Sequence, residues 1–235
     1  MIFRYLRLGL AVAMTLAAVP SCGIISSDVA SFDLALPDKK FSINANSWQV
    51  NQTDADLVLS TSCATQPALC SAAAETACAT GCRGTCNAAK TCDLSLDISL
   101  AQLVNIATEK PDLASFTNQS VIKVSVDSVT YEITKNGLNV EIPELTVYVA
   151  PMSVISASEA TAIGTIDPIP AGWTTTEAQS IKFTATGRDK LVDVMSTYKT
   201  PFNVIVGSSI LVTSGQQVPT GQLDAVVHIT GHAGL

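Results

Sequence analysis

Six of the chain's seven cysteines fall between Cys63 and Cys92, spaced C-x6-C-x7-C-x3-C-x3-C-x5-C. The residues between them are mostly Ala, Thr, Gly, Ser and Gln, and Leu69 is the single large aliphatic side chain. Such a stretch buries too little apolar surface to offset the entropy of ordering it. Covalent crosslinks are the expected substitute, so residues 61–93 read as a cysteine-rich insert holding three disulfides. The candidate disulfide residues are Cys63, Cys70, Cys78, Cys82, Cys86 and Cys92. Many pairings are open, and spacing does not choose among them. Cys78, Cys82 and Cys86 recur every four residues and would line one face of a helix. Their partners would then come from elsewhere, because i and i+4 on a regular helix lie at or beyond disulfide reach.

The odd cysteine is Cys22. Residues Met1–Arg7 carry two cations and no acid, Leu8–Val19 is apolar, and Pro20-Ser21-Cys22 follows. A basic head, a short apolar middle and small residues at its end form the layout of a secretory signal, here residues 1–21. The apolar run is too short for a permanent transmembrane helix. Val19-Pro20-Ser21-Cys22 resembles the lipobox of bacterial lipoprotein precursors: an aliphatic residue, two small residues, then the cysteine that is lipidated and becomes residue one. Pro20 stands where that family usually has Ala, Ser, Thr or Val. An ordinary signal-peptidase cut, after Leu16-Ala17-Ala18 or directly before Cys22, is the competing reading. The resemblance covers only the targeting segment. It implies lipidation at Cys22, residues 22–30 as a tether, and a location in the bacterial cell envelope, at the outer membrane. Removing Cys22 as an anchor leaves an even number of thiols, which suits an exported protein.

Export in turn weighs against metal in the cysteine segment. There is no C-x2-C pair and no histidine before His228, so zinc spacing is missing. An iron–sulfur cluster does not suit a chain exported unfolded. No cofactor or metal is assigned.

The remaining chain reads mainly as strands. Apolar and polar residues alternate in Phe32–Leu36 and Lys40–Asn44, with Pro37-Asp38 between them as a turn. Leu57–Leu59 is short and apolar. Leu94, Leu96, Ile98 and Leu100 alternate with polar neighbours. Val121–Thr134 and Leu138–Val149 are long alternating runs on either side of Lys135-Asn136-Gly137, and Asn-Gly between such runs predicts a hairpin. Pro143 in the second run points to an edge or a bulge. Residues 151–178 read as a long connection, Ser180–Thr186 as a strand and Gly187–Thr197 as a short amphipathic helix. Phe202–Thr213 and Leu223–Thr230 close the chain as strands, with Gly215 and Pro219-Thr220-Gly221 as their turn. Ser99–Ala107 is a second candidate helix. Eight to ten short strands with little helix predict an antiparallel β-sandwich or open barrel, immunoglobulin-like in the broad sense. An α+β domain on a curved antiparallel sheet is the alternative. Residues 31–235 form a single β-rich domain in this reading.

Little in the sequence points to catalysis. Gly207-Ser208-Ser209 lacks the G-x-S-x-G elbow. His228 and His232 are the only imidazoles. Four residues apart on a strand, they stand about 13 Å from each other, too far to share one ion without a bend at Gly231. The plainer expectation is a solvent-facing strand position and a terminal-loop histidine. Asp54-Ala-Asp56 has the start of a calcium loop and none of the rest. Asn51-Gln-Thr53 and Asn118-Gln-Ser120 fit the short N-glycosylation pattern, which carries no weight in a bacterial lipoprotein. Trp48 and Trp173 are the large anchors. Core packing is expected for both, with Trp173 in its Pro/Gly loop as the candidate contact residue. Lys39, Lys40, Arg188 and Lys190 read as isolated, solvated cations.

The formal charge of −7, with 13 scattered cations, provides no basic patch for nucleic acid. Loss of Arg4 and Arg7 with the signal makes the mature chain more acidic still. The expectation is therefore an exported, lipid-anchored cell-envelope protein with a binding or structural role and no enzymatic one. Its partners would be the membrane, through the lipid, and another envelope protein. The alternatives are an exported enzyme using His228 or His232, and an apolar-ligand carrier with a cavity between its sheets.

Overall fold

The computed structural model describes residues 32–78, 80–116 and 123–234. The signal, the tether and Cys22 lie outside these residues, as does Asn118. The described residues begin with β1 (Phe32–Asp33), β2 (Lys39–Asn44), α1 (Gln52–Ser60), α2 (Leu69–Ala77), β3 (Cys82–Cys86) and β4 (Cys92–Val104). They continue through α3 (Ile106–Glu109), β5 (Lys123–Asn136), β6 (Leu145–Pro151), β7 (Thr161–Ile166), β8 (Gln179–Ser180) and β9 (Lys182–Phe183). They end with α4 (Gly187–Ser196), β10 (Phe202–Val212) and β11 (Gln222–Gly234). No helix among the described residues is long and apolar enough to cross a membrane.

The strands form two antiparallel sheets packed as a sandwich. In the first, β11 runs between β5 and an edge made of β1 and β2 end to end, and β8 lies beyond β5. The second has the order β3-β4-β10-β6-β7-β9. Period-two alternation produces the inner faces directly. Leu94, Leu96 and Ile98 of β4, Val204, Val206 and Ile210 of β10, and Val227 and Ile229 of β11 are all buried. Each such burial contributes about 1.5–3 kcal/mol. One space between the sheets, walled by Phe41, Leu100, Tyr131 and Val206, is about 20 Å³. That is room for one water at most.

β5 shows how the alternation survives an irregularity. Its buried positions run Val124, Val126, then Val129, Tyr131, Ile133. The register against β11 passes over Asp127 and Thr134, so each is the extra residue of a bulge. Opposite the first bulge, Gly231 lets β5 approach closely. A Cβ there would stand 2.2 Å from the Ser125 carbonyl oxygen.

Strand pairing departs from the sequence expectation. β5 and β6 do not form a hairpin through Asn136-Gly137; they lie in different sheets. The Asn136 amide donates instead to the carbonyls of Pro170 and Trp173, at 2.9 and 3.0 Å, and Gly137 N–H donates to Gln222 O at 2.8 Å. The two residues thus begin a crossing between sheets. Pro143 lies in that crossing, ahead of β6, which is itself central between β10 and β7. β10 and β11 are likewise split between the sheets, so Gly215 and Pro219–Gly221 are a crossing rather than a hairpin turn. The physical reason is common to both. An alternating run needs a partner that completes a buried layer, and the sequence neighbour is only one candidate.

Other differences are local. Leu57–Leu59 lies in α1, capped by Asn51, whose Oδ1 accepts from Asp54 N–H at 2.9 Å. Ser99–Ala107 is mostly strand, since β4 continues to Val104. The 151–178 connection contains β7. Ser180–Thr186 splits into part of β8 and β9, which join different sheets on either side of buried Ile181. α4 forms where expected, burying Leu191 and Met195. The described chain has four α-helices, more than the one or two expected.

Candidate functional site

The cysteine segment folds as a helix laid on a hairpin. β3 and β4 pair antiparallel through a turn at Asn87–Thr91, where the Asn87 side chain bonds Thr91 and Asp93. α2 lies across β3 at very short range. A Cβ on Gly84 would stand 1.9 Å from the Cys70 carbonyl oxygen, so only glycine fits there. Ala74 and Cys70 are fully buried in this contact, and their small side chains permit it.

Three disulfides close the segment: Cys63–Cys86, Cys70–Cys92 and Cys78–Cys82, with Cα separations of 5.9, 5.3 and 6.1 Å. All six candidate cysteines are used. The helical face expected for Cys78, Cys82 and Cys86 does not form. α2 ends at Ala77 and Cys82–Cys86 is strand, which frees Cys78 and Cys82 to pair directly. The sulfurs of Cys63, Cys70 and Cys86 lie within 4.8 Å of one another. Thiolates so placed can share a metal ion, but here each sulfur is bonded to another and is not a thiolate. Three disulfides fit an oxidising compartment outside the reducing cytosol.

The two histidines stand on the outer face of β11. His228 Nδ1 donates to Asp38 Oδ1 at 2.7 Å; its Nε2 is buried without a hydrogen-bond partner among the described residues, 3.9 Å from Glu132 Oε1. His232 Nδ1 is 2.7 Å from Asp127 Oδ2, the carboxylate of the β5 bulge. β11 continues through Gly231, so His232 is a strand residue and not part of a terminal loop. Each ring is held by its own carboxylate. Among the described residues no hydroxyl or thiol bonds to either ring, which leaves two oriented imidazoles without a nucleophile beside them.

The tryptophans separate. Trp48 is buried and its Nε1 donates to Asp97 O at 2.9 Å. Trp173 is 40% exposed in the turn that begins at Pro170, so the core role expected for it does not hold, and it remains a candidate contact residue. Asp54 and Asp56 lie within α1, bonded to Asn51 and Gln52, which accounts for them without calcium.

Sequence reasoning missed Lys39. It is buried, its Nζ lies 2.6 Å from Glu109 Oε1, and it also donates to Leu103 O at 3.2 Å. Nothing local marks this pairing, because the two residues lie far apart in sequence and join β2 to the end of α3. Arg188 is not solvated either. It donates to Val126 O at 2.9 Å and lies over the Phe183 ring. The start of α1 was missed as well; the signal that could have marked it is Asn51 as a capping residue ahead of Asp54.

No protein-family model, curated protein or solved structure matches this chain.

Proposed function

We propose that the protein is exported and anchored to the bacterial outer membrane by lipid on Cys22, with a binding or structural role and no catalytic one. The observation that carries this reading is the thiol arithmetic. All six cysteines of the insert are paired, so the seventh, Cys22, is the one left for another chemistry. The lipobox-like run around it supplies that chemistry. A lipidated N-terminus holds a domain at a membrane surface without a spanning helix. The crosslinked insert is rigid, which lowers the ordering cost of engaging another envelope protein.

Intact mass of the protein from native membranes, with and without reduction and alkylation, tests this. The expected mass begins at Cys22 and includes acyl groups, with six cysteines alkylated only after reduction. An unlipidated mass, or thiols free in the insert without reduction, defeats the reading. The enzymatic alternative has one observation behind it, the Asp38–His228 and Asp127–His232 pairs. It stands only if an activity is found that the double substitution of both histidines abolishes.

A further inference from the structure

The sandwich leaves two strand edges facing each other on one side. β3 covers β4 only as far as Leu96. From Asp97 onward, the main-chain groups of alternate residues point away from β10. Asp97 N–H donates to Gly81 O at 2.6 Å, and Asp97 O accepts from Trp48 Nε1. Leu103 O accepts from Lys39 Nζ. Antiparallel pairing repeats every two residues, so the N–H and C=O groups of Ser99 and Ala101 point to the same side. Neither residue has a main-chain partner there among the described residues. Opposite them, Ala45 N–H bonds Gly221 O within the first sheet, which by the same alternation turns Lys40 and Ser42 outward.

Between these edges runs a groove of about 700 Å³, lined by Lys40, Ser42, Ser99, Ala101, Gln102 and Val226, among others. Its two ends are closed by side chains, Trp48 at Asp97 and Lys39 at Leu103. Its middle is open. Proteins usually cover, charge or bulge such edges, because unpaired main-chain groups bind other strands. Here the uncovered stretch also has apolar neighbours. Leu103 is 47% exposed on the outer face of β4, and Ile155, whose carbonyl accepts from Ser99 Oγ, is 69% exposed.

We propose that Ser99–Ala101 of β4 is a docking edge for an extended segment of a partner protein. The segment adds as a strand, and apolar side chains of it seat against Leu103 and Ile155. Main-chain bonds supply the attachment and the apolar contact supplies the selectivity. The groove carries both Lys40 and Asp224, so it favours a segment without strong net charge. This gives a location to the binding role proposed above, on which it rests. It does not depend on the lipid anchor, and an unlipidated mass leaves it standing.

Amide exchange on the full-length, isotope-labelled protein tests it, with a short end-capped peptide of alternating Val and Thr as the probe. The Ser99 and Ala101 amides should exchange rapidly in the free protein and become protected when the peptide is added. Ala101→Pro should weaken peptide binding about tenfold, the effect of losing one or two main-chain bonds. Its missing N–H lies on the open side, so the ladder to β10 stays intact. If that variant does not fold, Ile155→Asp, at an exposed position, should still weaken binding. Slow exchange in the free protein means the edge is already covered and overturns the proposal. So does a peptide that does not bind or that protects other amides, or self-association that protects these same two.

Discussion

Where β4 meets β10, the sandwich is held by Leu96, Ile98, Val206 and Ile210, buried and without a covalent link. A few residues earlier in the same strand, Cys92 is bonded to Cys70, and the neighbouring side chains are alanine and glycine. One strand therefore passes from a region ordered by side-chain volume to one ordered by crosslinks. Large side chains lower the energy of the folded state by leaving water. Small ones cannot, so the insert restricts the unfolded chain instead. Small side chains also permit the short approach of α2 to Gly84, which bulky residues would block. The two regions thus differ in what would undo them.

The largest effect should come from the core. Phe202→Ala removes a fully buried ring and should destabilise by about 3–5 kcal/mol, read by chemical denaturation, with the disulfides still formed. A variant whose stability barely changes would mean that the sandwich relies on the crosslinks after all. One polar pair, at the edge of the sandwich, departs from this contrast. Lys39→Met leaves the half-buried Glu109 without its cation and should cost about 2–3 kcal/mol; Lys39→Met with Glu109→Gln should recover much of it.

In the insert, replacing Cys70 and Cys92 together by alanine opens a crosslink of sequence separation 22 and should cost about 3 kcal/mol. The equivalent change at Cys78 and Cys82, with a separation of 4, should cost about 2 kcal/mol. Amide exchange should show the loss concentrated in 61–93, with β10 and β11 still protected. Equal losses in both regions would show that the insert and the sandwich unfold as one unit.

The smallest effect is electrostatic. The Gln222 amide donates to Asp224 and holds its carboxyl below the ordinary value of 3.8, against an opposing effect of burial. A depressed carboxyl stabilises the fold above its unfolded value, and that contribution disappears as pH falls through the folded value. Asp224→Asn should therefore lower stability slightly at neutral pH and not in strong acid, as measured by denaturant titration at both. A constant difference would assign the effect to packing.

Several features were legible in the residues alone. Alternation marked β4, β5, β10 and β11, amphipathic spacing marked α4, and composition marked 61–93 as a segment in need of crosslinks. These are local properties, set by side-chain direction along one strand or helix and by the apolar surface one segment can bury. Tertiary structure decided the rest. It separated β5 from β6 despite Asn136-Gly137, selected Cys63–Cys86, Cys70–Cys92 and Cys78–Cys82 from the possible pairings, and drew Lys39 inward to Glu109. It also left Ser99 and Ala101 on an open edge. Each of these outcomes depends on which distant segment completes a layer, and that choice follows from the sum of buried contacts across the fold. No short pattern carries that sum.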